Sequence, residues 1–270
     1  MNEVVGHSSV ADIESLAAPL QRPLMGTESI GPLLHALIRM TRPERVLEVG
    51  AGATTIYLLH ALECNHRIVQ KERMELKQKQ QYFDPAWDKL TGLRHRSLVL
   101  EWLAKPPALA LAAFYDEEYE PSLVSVDLEV SESSAAAVVE SYIKSAGLGS
   151  RLESVTADFR DLAPVFAQAE TRFDLMWFDC GGAKEYREFL EGYWPLLSED
   201  GGLMILHFTE SVAAHEVVIS DFVESQRLVG CNLEVLSLSE PHKIMQNSCT
   251  ILRRVGTPRR YPLTTYVRLG

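Results

Sequence analysis

Three acidic residues stand where apolar, strand-like runs of the sequence end. Asp127 lies at the end of one run, Asp158 follows a second, and Asp179 ends a third. A carboxylate in such a position can accept hydrogen bonds from the hydroxyl groups of a ribose. Each residue by itself is equally well explained as a helix cap or a solvated loop residue. Three carboxylates in this arrangement predict a nucleoside-type ligand.

A glycine-containing turn precedes these carboxylates. The apolar run at residues 45–49 leads directly into Gly50 and Gly52, and a helical pattern follows at residues 55–62. Glycines in such a turn let the backbone approach a ligand closely, and the helix N-terminus that follows attracts negative charge. A turn of this kind also serves plain packing, so its interpretation as a binding turn depends on the carboxylates downstream.

The elements that must position these residues alternate along the chain. The predicted strands cover residues 45–49, 123–128, 152–156, 173–178, 203–208, 233–238 and 249–253. The predicted helices cover residues 10–18, 30–40, 55–62, 134–146, 161–168, 183–196 and 211–226. This alternation predicts a doubly wound, mostly parallel α/β sheet. The connection between the last two strands is too short for a crossover helix, so they predict a C-terminal antiparallel hairpin that completes a seven-stranded sheet.

One insertion interrupts this alternation. About 60 residues separate the first helix after the glycine turn from the next strand, where a simple loop needs only a few. Residues 71–81 are polar and helix-prone, and residues 115–120 read Y-D-E-E-Y-E, which suits either a solvated loop or a surface for a cationic or aromatic acceptor. We therefore predict an N-terminal helical segment at residues 1–44 and one domain at residues 45–270. A helical cap is inserted at about residues 63–121, and we expect it to cover the ligand site.

The composition argues against several classes of partner. The net charge of −11 disfavours nucleic acid, because phosphate binding relies on clustered lysine and arginine. No run approaches the roughly 18 apolar residues that cross a bilayer, so we expect no membrane partner. None of the four cysteines forms a C-x-x-C pair, so neither a zinc site nor a dithiol redox centre is indicated. We expect a cytoplasmic protein with reduced thiols, and we allow for a homodimer.

With these motifs the chain resembles the class I S-adenosylmethionine-dependent methyltransferases, which have a Rossmann-like fold. The local pattern is closest to the small-molecule O-methyltransferases that include the catechol and caffeoyl-CoA enzymes. The likeness covers nearly the whole chain outside the insertion. Its clearest segments are R-V-L-E-V-G-A-G-A-T-T at residues 45–55, V-S-V-D-L-E at 124–129, L-E-S-V-T-A-D-F at 152–159 and F-D-L-M-W-F-D at 173–179.

The resemblance implies S-adenosyl-L-methionine as the cofactor and a role for each matching residue. Glu48 would hold the turn and, through water, the amino acid end of the cofactor, and the two glycines would allow its close approach. Asp127 would bind the ribose. Asp158 would bind the adenine amino group, with Phe159 packed beside the adenine ring.

Two positions depart from the family pattern. Thr54 replaces the third glycine of the common E-x-G-x-G-x-G motif, a replacement found in many variants, and it stays among the expected cofactor-binding residues. Metal-dependent members carry Asp-Asn after the fifth strand, where this chain has His207 and Phe208. Phenylalanine cannot ligate a cation, and Asp179 alone makes a poor site. We therefore expect no metal ligands and a metal-independent reaction.

The activity that the resemblance implies is methyl transfer to a small-molecule acceptor, with an oxygen, nitrogen or carbon nucleophile left open. Such a displacement mainly requires that the acceptor be positioned and a proton removed. His207 follows an apolar run and is expected to emerge at the rim of the ligand crevice beside Asp179. We consider it a candidate base, with a structural histidine as the alternative.

Two other functions are compatible with parts of the pattern. One is a Rossmann oxidoreductase with a nicotinamide cofactor. Glu48 directly before the glycines, the C-terminal hairpin and the absence of a recognisable Ser-Tyr-Lys set argue against it. The other is a non-catalytic cofactor-binding scaffold, against which the complete set of crevice carboxylates argues.

Overall fold

A computed structural model describes residues 10–22, 24–87, 94–128 and 135–256. The described residues form two compact units, one made of residues 10–63 and 121–256 and the other of residues 64–120. Residues 1–9 of the expected N-terminal segment, residues 88–93 of the expected cap and residues 257–270 lie outside the described part of the chain.

Seven strands and eight α-helices make up the described chain. The strands are β1 (Arg45–Val49), β2 (Ser122–Asp127), β3 (Leu152–Thr156), β4 (Leu175–Phe178), β5 (Leu203–His207), β6 (Leu233–Ser239) and β7 (Ser248–Arg254). The helices are α1 (Val10–Ala17), α2 (Ile30–Thr41), α3 (Ala53–Trp87), α4 (Arg94–Ala104), α5 (Ala135–Ser145), α6 (Phe159–Gln168), α7 (Ala183–Tyr193) and α8 (Ala213–Leu228). Every predicted strand overlaps an observed one.

The strands form one sheet with the order β3-β2-β1-β4-β5-β7-β6. β1, β2, β3, β4 and β5 run parallel, whereas β7 is antiparallel to both β5 and β6. The predicted α/β fold class with its C-terminal antiparallel hairpin is therefore confirmed. The strand order changes direction beside β1, so the carboxyl ends of β1, β2 and β4 frame a crevice of the kind in which open α/β sheets bind ligands.

The helix after the glycine turn is much longer than predicted. α3 runs from Ala53 to Trp87, so the predicted end near residue 62 is wrong. The sequence between Ala53 and Asp84 contains no glycine or proline, and residues 66–81 are rich in lysine, glutamate and glutamine, which favour helix. No helix-breaking residue therefore ends the helix after the apolar stretch at residues 55–62.

The sheet buries a separate hydrophobic core on each of its faces. Side chains that alternate along a strand point to opposite faces, so Val46 and Trp177 pack with α2 and the start of α3, whereas Leu47 and Phe178 pack with α7 and α8. All residues of β4 and β5 are buried, as expected for central strands covered on both sides.

The second unit has a small core of its own. Trp102 is completely buried there, and so are most of Tyr115 and Tyr119, while the three acidic residues between the tyrosines are exposed. The Tyr115 hydroxyl donates to Glu72 across 3.0 Å. The tyrosine rings of the segment at residues 115–120 are thus occupied by internal packing and do not form an open surface for an acceptor.

None of the described helices combines the length and the apolar character that crossing a membrane requires.

Candidate functional site

A cavity of about 300 Å³ lies at the carboxyl ends of β1, β2 and β4. Its walls come from four places: the segment before α2, the glycine turn with the first turn of α3, the carboxyl ends of β2 and β4, and α5. The lining residues are Pro19, Leu20, Arg22, Met25, Thr27, Gly50, Ala51, Gly52, Ala53, Thr54, Asp127, Val138, Val139, Asp179 and Cys180. Five predicted site residues, namely Gly50, Gly52, Thr54, Asp127 and Asp179, therefore share one cavity.

The two glycines of the turn serve different purposes. Gly50 has a φ of +101°, and a Cβ atom there would lie 2.6 Å from the carbonyl oxygen of Asp179, so the fold itself requires glycine. A Cβ atom on Gly52 would meet nothing within 4 Å. Packing within the described protein therefore does not explain Gly52, and its open side faces the cavity.

Glu48 is a fully buried carboxylate at the centre of the turn. It accepts hydrogen bonds from the hydroxyls of Thr54 (2.8 Å), Thr55 (2.7 Å) and Ser125 (2.7 Å). Burial raises its pKa to about 7, against the lowering effect of these hydroxyl donors. Glu48 thus ties β1 to the start of α3 and to β2. It holds the turn as predicted, but it is not among the residues that line the cavity.

Asp127 is the last residue of β2 and turns its carboxylate toward the glycine turn. The backbone N–H of Ala51 donates to Asp127 Oδ2 across 3.1 Å, and the side chain lines the cavity. This bond orients the carboxylate at the carboxyl end of β2. The binding of ribose hydroxyls by Asp127 stays a prediction.

Asp158 and Phe159 are placed differently from the prediction. Asp158 caps α6, since it accepts from the backbone N–H of Arg160 at 2.9 Å, and Arg160 Nε also donates to its carboxylate at 2.8 Å. The hydrogen bond from the Arg160 side chain is the main cause that lowers the pKa of Asp158. Neither Asp158 nor Phe159 lines the cavity. Phe159 is buried, and its ring packs edge-on against Phe178 at 5.5 Å.

Asp179 and His207 form the predicted pair, but the imidazole is not at an open rim. The distance from His207 Nδ1 to Asp179 Oδ1 is 2.7 Å. His207 has no exposed surface, its cross-strand neighbour on β7 is Cys249, and the Trp177 ring lies 5.4 Å from the imidazole. A carboxylate only accepts, so the ring proton sits on Nδ1. The other ring nitrogen, Nε2, is buried with no hydrogen-bond partner among the described residues.

Two further side chains bear on the chemistry available here. Phe208 lies on the opposite face of the sheet from His207, with its ring edge-on to Tyr186 at 5.7 Å. The described residues contain no cluster of three or more His, Cys, Asp or Glu side chains able to hold a metal ion.

Cys180 lines the cavity, but burial and the neighbouring Asp179 raise the pKa of its thiol to about 12, so it is a poor nucleophile.

Sequence reasoning missed the wall of the cavity that precedes α2. The sequence predicts a separate N-terminal helical segment at residues 1–44, yet Arg22, Met25 and Thr27 line the same cavity as the glycine turn. No local motif marks these residues, because their role arises only from where the chain passes over the sheet.

Comparisons with known proteins bear on the fold and the family of this chain. Residues 107–207 match the family described as a methyltransferase domain. None of the curated proteins is significantly similar in sequence to this chain.

Solved structures share the fold over nearly the full length. An O-methyltransferase from Bacillus cereus in complex with SAH is 16% identical, with a TM-score of 0.55 and coverage of 94% of this chain and 94% of that chain. The O-methyltransferase TomG from Streptomyces achromogenes, involved in tomaymycin synthesis and solved with SAM, is 15% identical, with a TM-score of 0.54 and coverage of 91% of this chain and 96% of that chain. Identities this low show the common fold.

The buried carboxyl group of Glu48 predicts a specific dependence of stability on pH. Its pKa is raised from 4.5 to about 7 on folding, so the folded protein loses stability as the pH rises from about 4.5, where the unfolded chain ionises, to about 7. Glu48→Gln keeps a neutral hydrogen-bonding group and removes this titration. The free energy of unfolding of the variant relative to wild type should therefore rise across this interval, by up to about 3 kcal/mol. Urea titrations at pH 4.5, 5.5 and 7 measure the difference, and a value independent of pH would contradict it.

Proposed function

We propose that this protein is a class I S-adenosylmethionine-dependent methyltransferase, which transfers a methyl group from S-adenosyl-L-methionine to a small-molecule acceptor. The observation that carries the proposal is the cavity at the strand ends, where the glycine turn, Asp127 and Asp179 come together. The nucleophile of the acceptor is an oxygen, nitrogen or carbon atom.

The residues that line the cavity suit the proposed cofactor. Asp127 offers carboxylate oxygens for ribose hydroxyls, and the open side of Gly52 leaves room for a ligand against the backbone. The first turn of α3 contains no acidic residue, so its N-terminal N–H groups present positive potential toward the cavity. When bound, S-adenosyl-L-methionine supplies an electrophilic methyl group on a sulfonium centre.

We propose further that Asp179 is the catalytic residue that receives the acceptor's proton and that His207 is a positioning residue. Asp179 lines the cavity, whereas His207 is completely buried behind it and contacts it through the 2.7 Å bond from Nδ1. The imidazole N–H fixes one carboxylate oxygen and leaves the other free to accept. This assigns proton removal to Asp179, in place of the expectation that His207 itself is the base.

Metal-independent transfer is part of the proposal. Its support is the chemistry of the donor set: one oxygen of Asp179 is engaged by His207, and the next residue along, Phe208, packs its ring in the core on the other face of the sheet. A hard cation needs several oxygen ligands, which these side chains do not offer.

Binding of the product S-adenosylhomocysteine tests the cofactor assignment. Calorimetry should show binding, and Asp127→Ala should weaken it by roughly 1–3 kcal/mol, the scale of a hydrogen bond to a charged group. The matched control Asp221→Ala removes an exposed carboxylate on α8 and should leave the affinity unchanged. NAD should not bind. Absence of heat and of a thermal shift with saturating S-adenosylhomocysteine would reject the proposed function, and binding of NAD instead would support an oxidoreductase.

The roles of Asp179 and His207 are separated by three variants, with an acceptor found by screening phenols, indoles and amines. Asp179→Asn should lower turnover by roughly 10²- to 10⁴-fold, the range for losing a general base. His207→Ala should lower turnover less than Asp179→Asn does, because the carboxylate that receives the proton stays in place. His207→Asn places an amide N–H near the position of Nδ1 and should restore most of that loss.

The outcomes of this series are distinct. If His207→Asn is as inactive as His207→Ala while S-adenosylhomocysteine still binds, the imidazole does more than donate a hydrogen bond to Asp179, and the positioning role is rejected. Normal turnover in all His207 variants, with only a lower melting temperature, would leave the histidine a purely structural role. The melting temperature of each variant shows whether a loss of folding causes a loss of turnover.

Chelation tests metal independence directly. Methyl transfer to the acceptor found in the screen should be unchanged after dialysis against EDTA, because no step of the proposal requires a cation. An enzyme that loses activity on chelation and regains it with magnesium would contradict this part of the proposal and leave the cofactor assignment untouched.

A further inference from the structure

The charged side chains around the cavity are unequal in sign. Asp127 and Asp179 contribute carboxylates, and Arg22 is the one basic residue among the described residues that line the cavity. Its guanidinium is exposed to solvent and has no hydrogen-bond or ion-pair partner among the described residues. An arginine that lines a ligand cavity without a protein partner is available to an anionic group of the ligand.

Backbone hydrogen bonds flank Arg22 in the sequence. Gln21 N–H donates to Ala18 O at 3.2 Å, and Met25 N–H donates to Arg22 O at 3.4 Å. Just beyond, the Lys243 ammonium donates to Gly26 O at 3.2 Å and to Glu28 at 2.9 Å. The loop between β6 and β7 thereby anchors the segment that carries Arg22.

The proposed cofactor contains a single anionic group, the α-carboxylate of its methionine moiety. Its sulfonium and ammonium are cationic, and its ribose hydroxyls are neutral donors. The two carboxylates of the cavity suit these groups and repel the α-carboxylate, so the charge complementary to that carboxylate comes from Arg22, reinforced by the N-terminus of α3.

We propose that Arg22 binds the α-carboxylate of the cofactor and thereby selects a ligand that carries an amino acid moiety over a bare nucleoside thioether. This inference rests on the proposed function, because it names a contact to the same cofactor. It also assigns the segment before α2 a part in the cofactor site, in addition to the glycine turn.

The test compares two ligands that differ by the amino acid moiety. S-adenosylhomocysteine carries the α-carboxylate, whereas 5′-methylthioadenosine has the same nucleoside and thioether without it. By calorimetry, Arg22→Gln should lower the affinity for S-adenosylhomocysteine by about tenfold, the scale of a partly solvated charge-assisted hydrogen bond. The affinity for 5′-methylthioadenosine should stay within about twofold of the wild-type value. Arg22→Lys keeps the charge and should recover part of the loss. Arg172→Gln, which removes an exposed arginine that precedes β4 at the opposite edge of the sheet, is the control and should change neither affinity.

Each other result overturns the assignment. Unchanged S-adenosylhomocysteine affinity in Arg22→Gln would show that Arg22 does not contact the α-carboxylate. Equal weakening of both ligands would show a general effect on the cavity, and melting temperatures of the free variants would show whether folding has changed. If neither ligand binds the wild-type protein, the proposed function itself fails, which is distinct from binding of both ligands with no dependence on Arg22.

Discussion

The buried carboxyl group of Glu48 is the interaction on which the cofactor crevice depends. Its oxygens accept from three hydroxyls, those of Thr54, Thr55 and Ser125, and so join β1, the first turn of α3 and β2 at one point. An isolated buried carboxylate is costly, and these donors offset part of that cost. These bonds fix the position at which α3 begins. They therefore also fix the position of Gly52, whose open side faces the cavity, and of Ala51, which donates to the Asp127 carboxylate.

The acidic residues that follow the strands divide into two kinds according to their nearest donor. Asp127 accepts from the backbone N–H of Ala51, and its side chain lines the cavity. Asp158 receives both the backbone and the side chain of Arg160 and is thereby committed to capping α6. The same residue type at similar sequence positions therefore has different availability to a ligand, and the difference comes from a basic residue two positions further on.

The pair formed by Asp179 and His207 illustrates how burial divides roles between two polar groups. Asp179 reaches the cavity wall, while the imidazole is completely buried beside the Trp177 ring. A histidine with one nitrogen bonded to a carboxylate and the other enclosed is suited to orienting that carboxylate. In the proposed function, direct contact with an acceptor therefore falls to Asp179.

The amino acid sequence by itself determined the strand pattern, the hairpin and the glycine turn, because hydrophobic periodicity and glycine spacing are local signals. The sequence also predicted that Asp127 and Asp179 lie near each other, because parallel strands bring their carboxyl ends to the same edge of the sheet. Only the tertiary structure decided that Phe159 is core, that His207 is enclosed and that Arg22 lines the cavity. Each of these depends on contacts between residues distant in sequence: Phe178 against Phe159, β7 against β5, and the segment before α2 beside the glycine turn. A local pattern shows that a side chain ends a strand, and long-range packing determines whether it meets solvent, a ligand or another side chain.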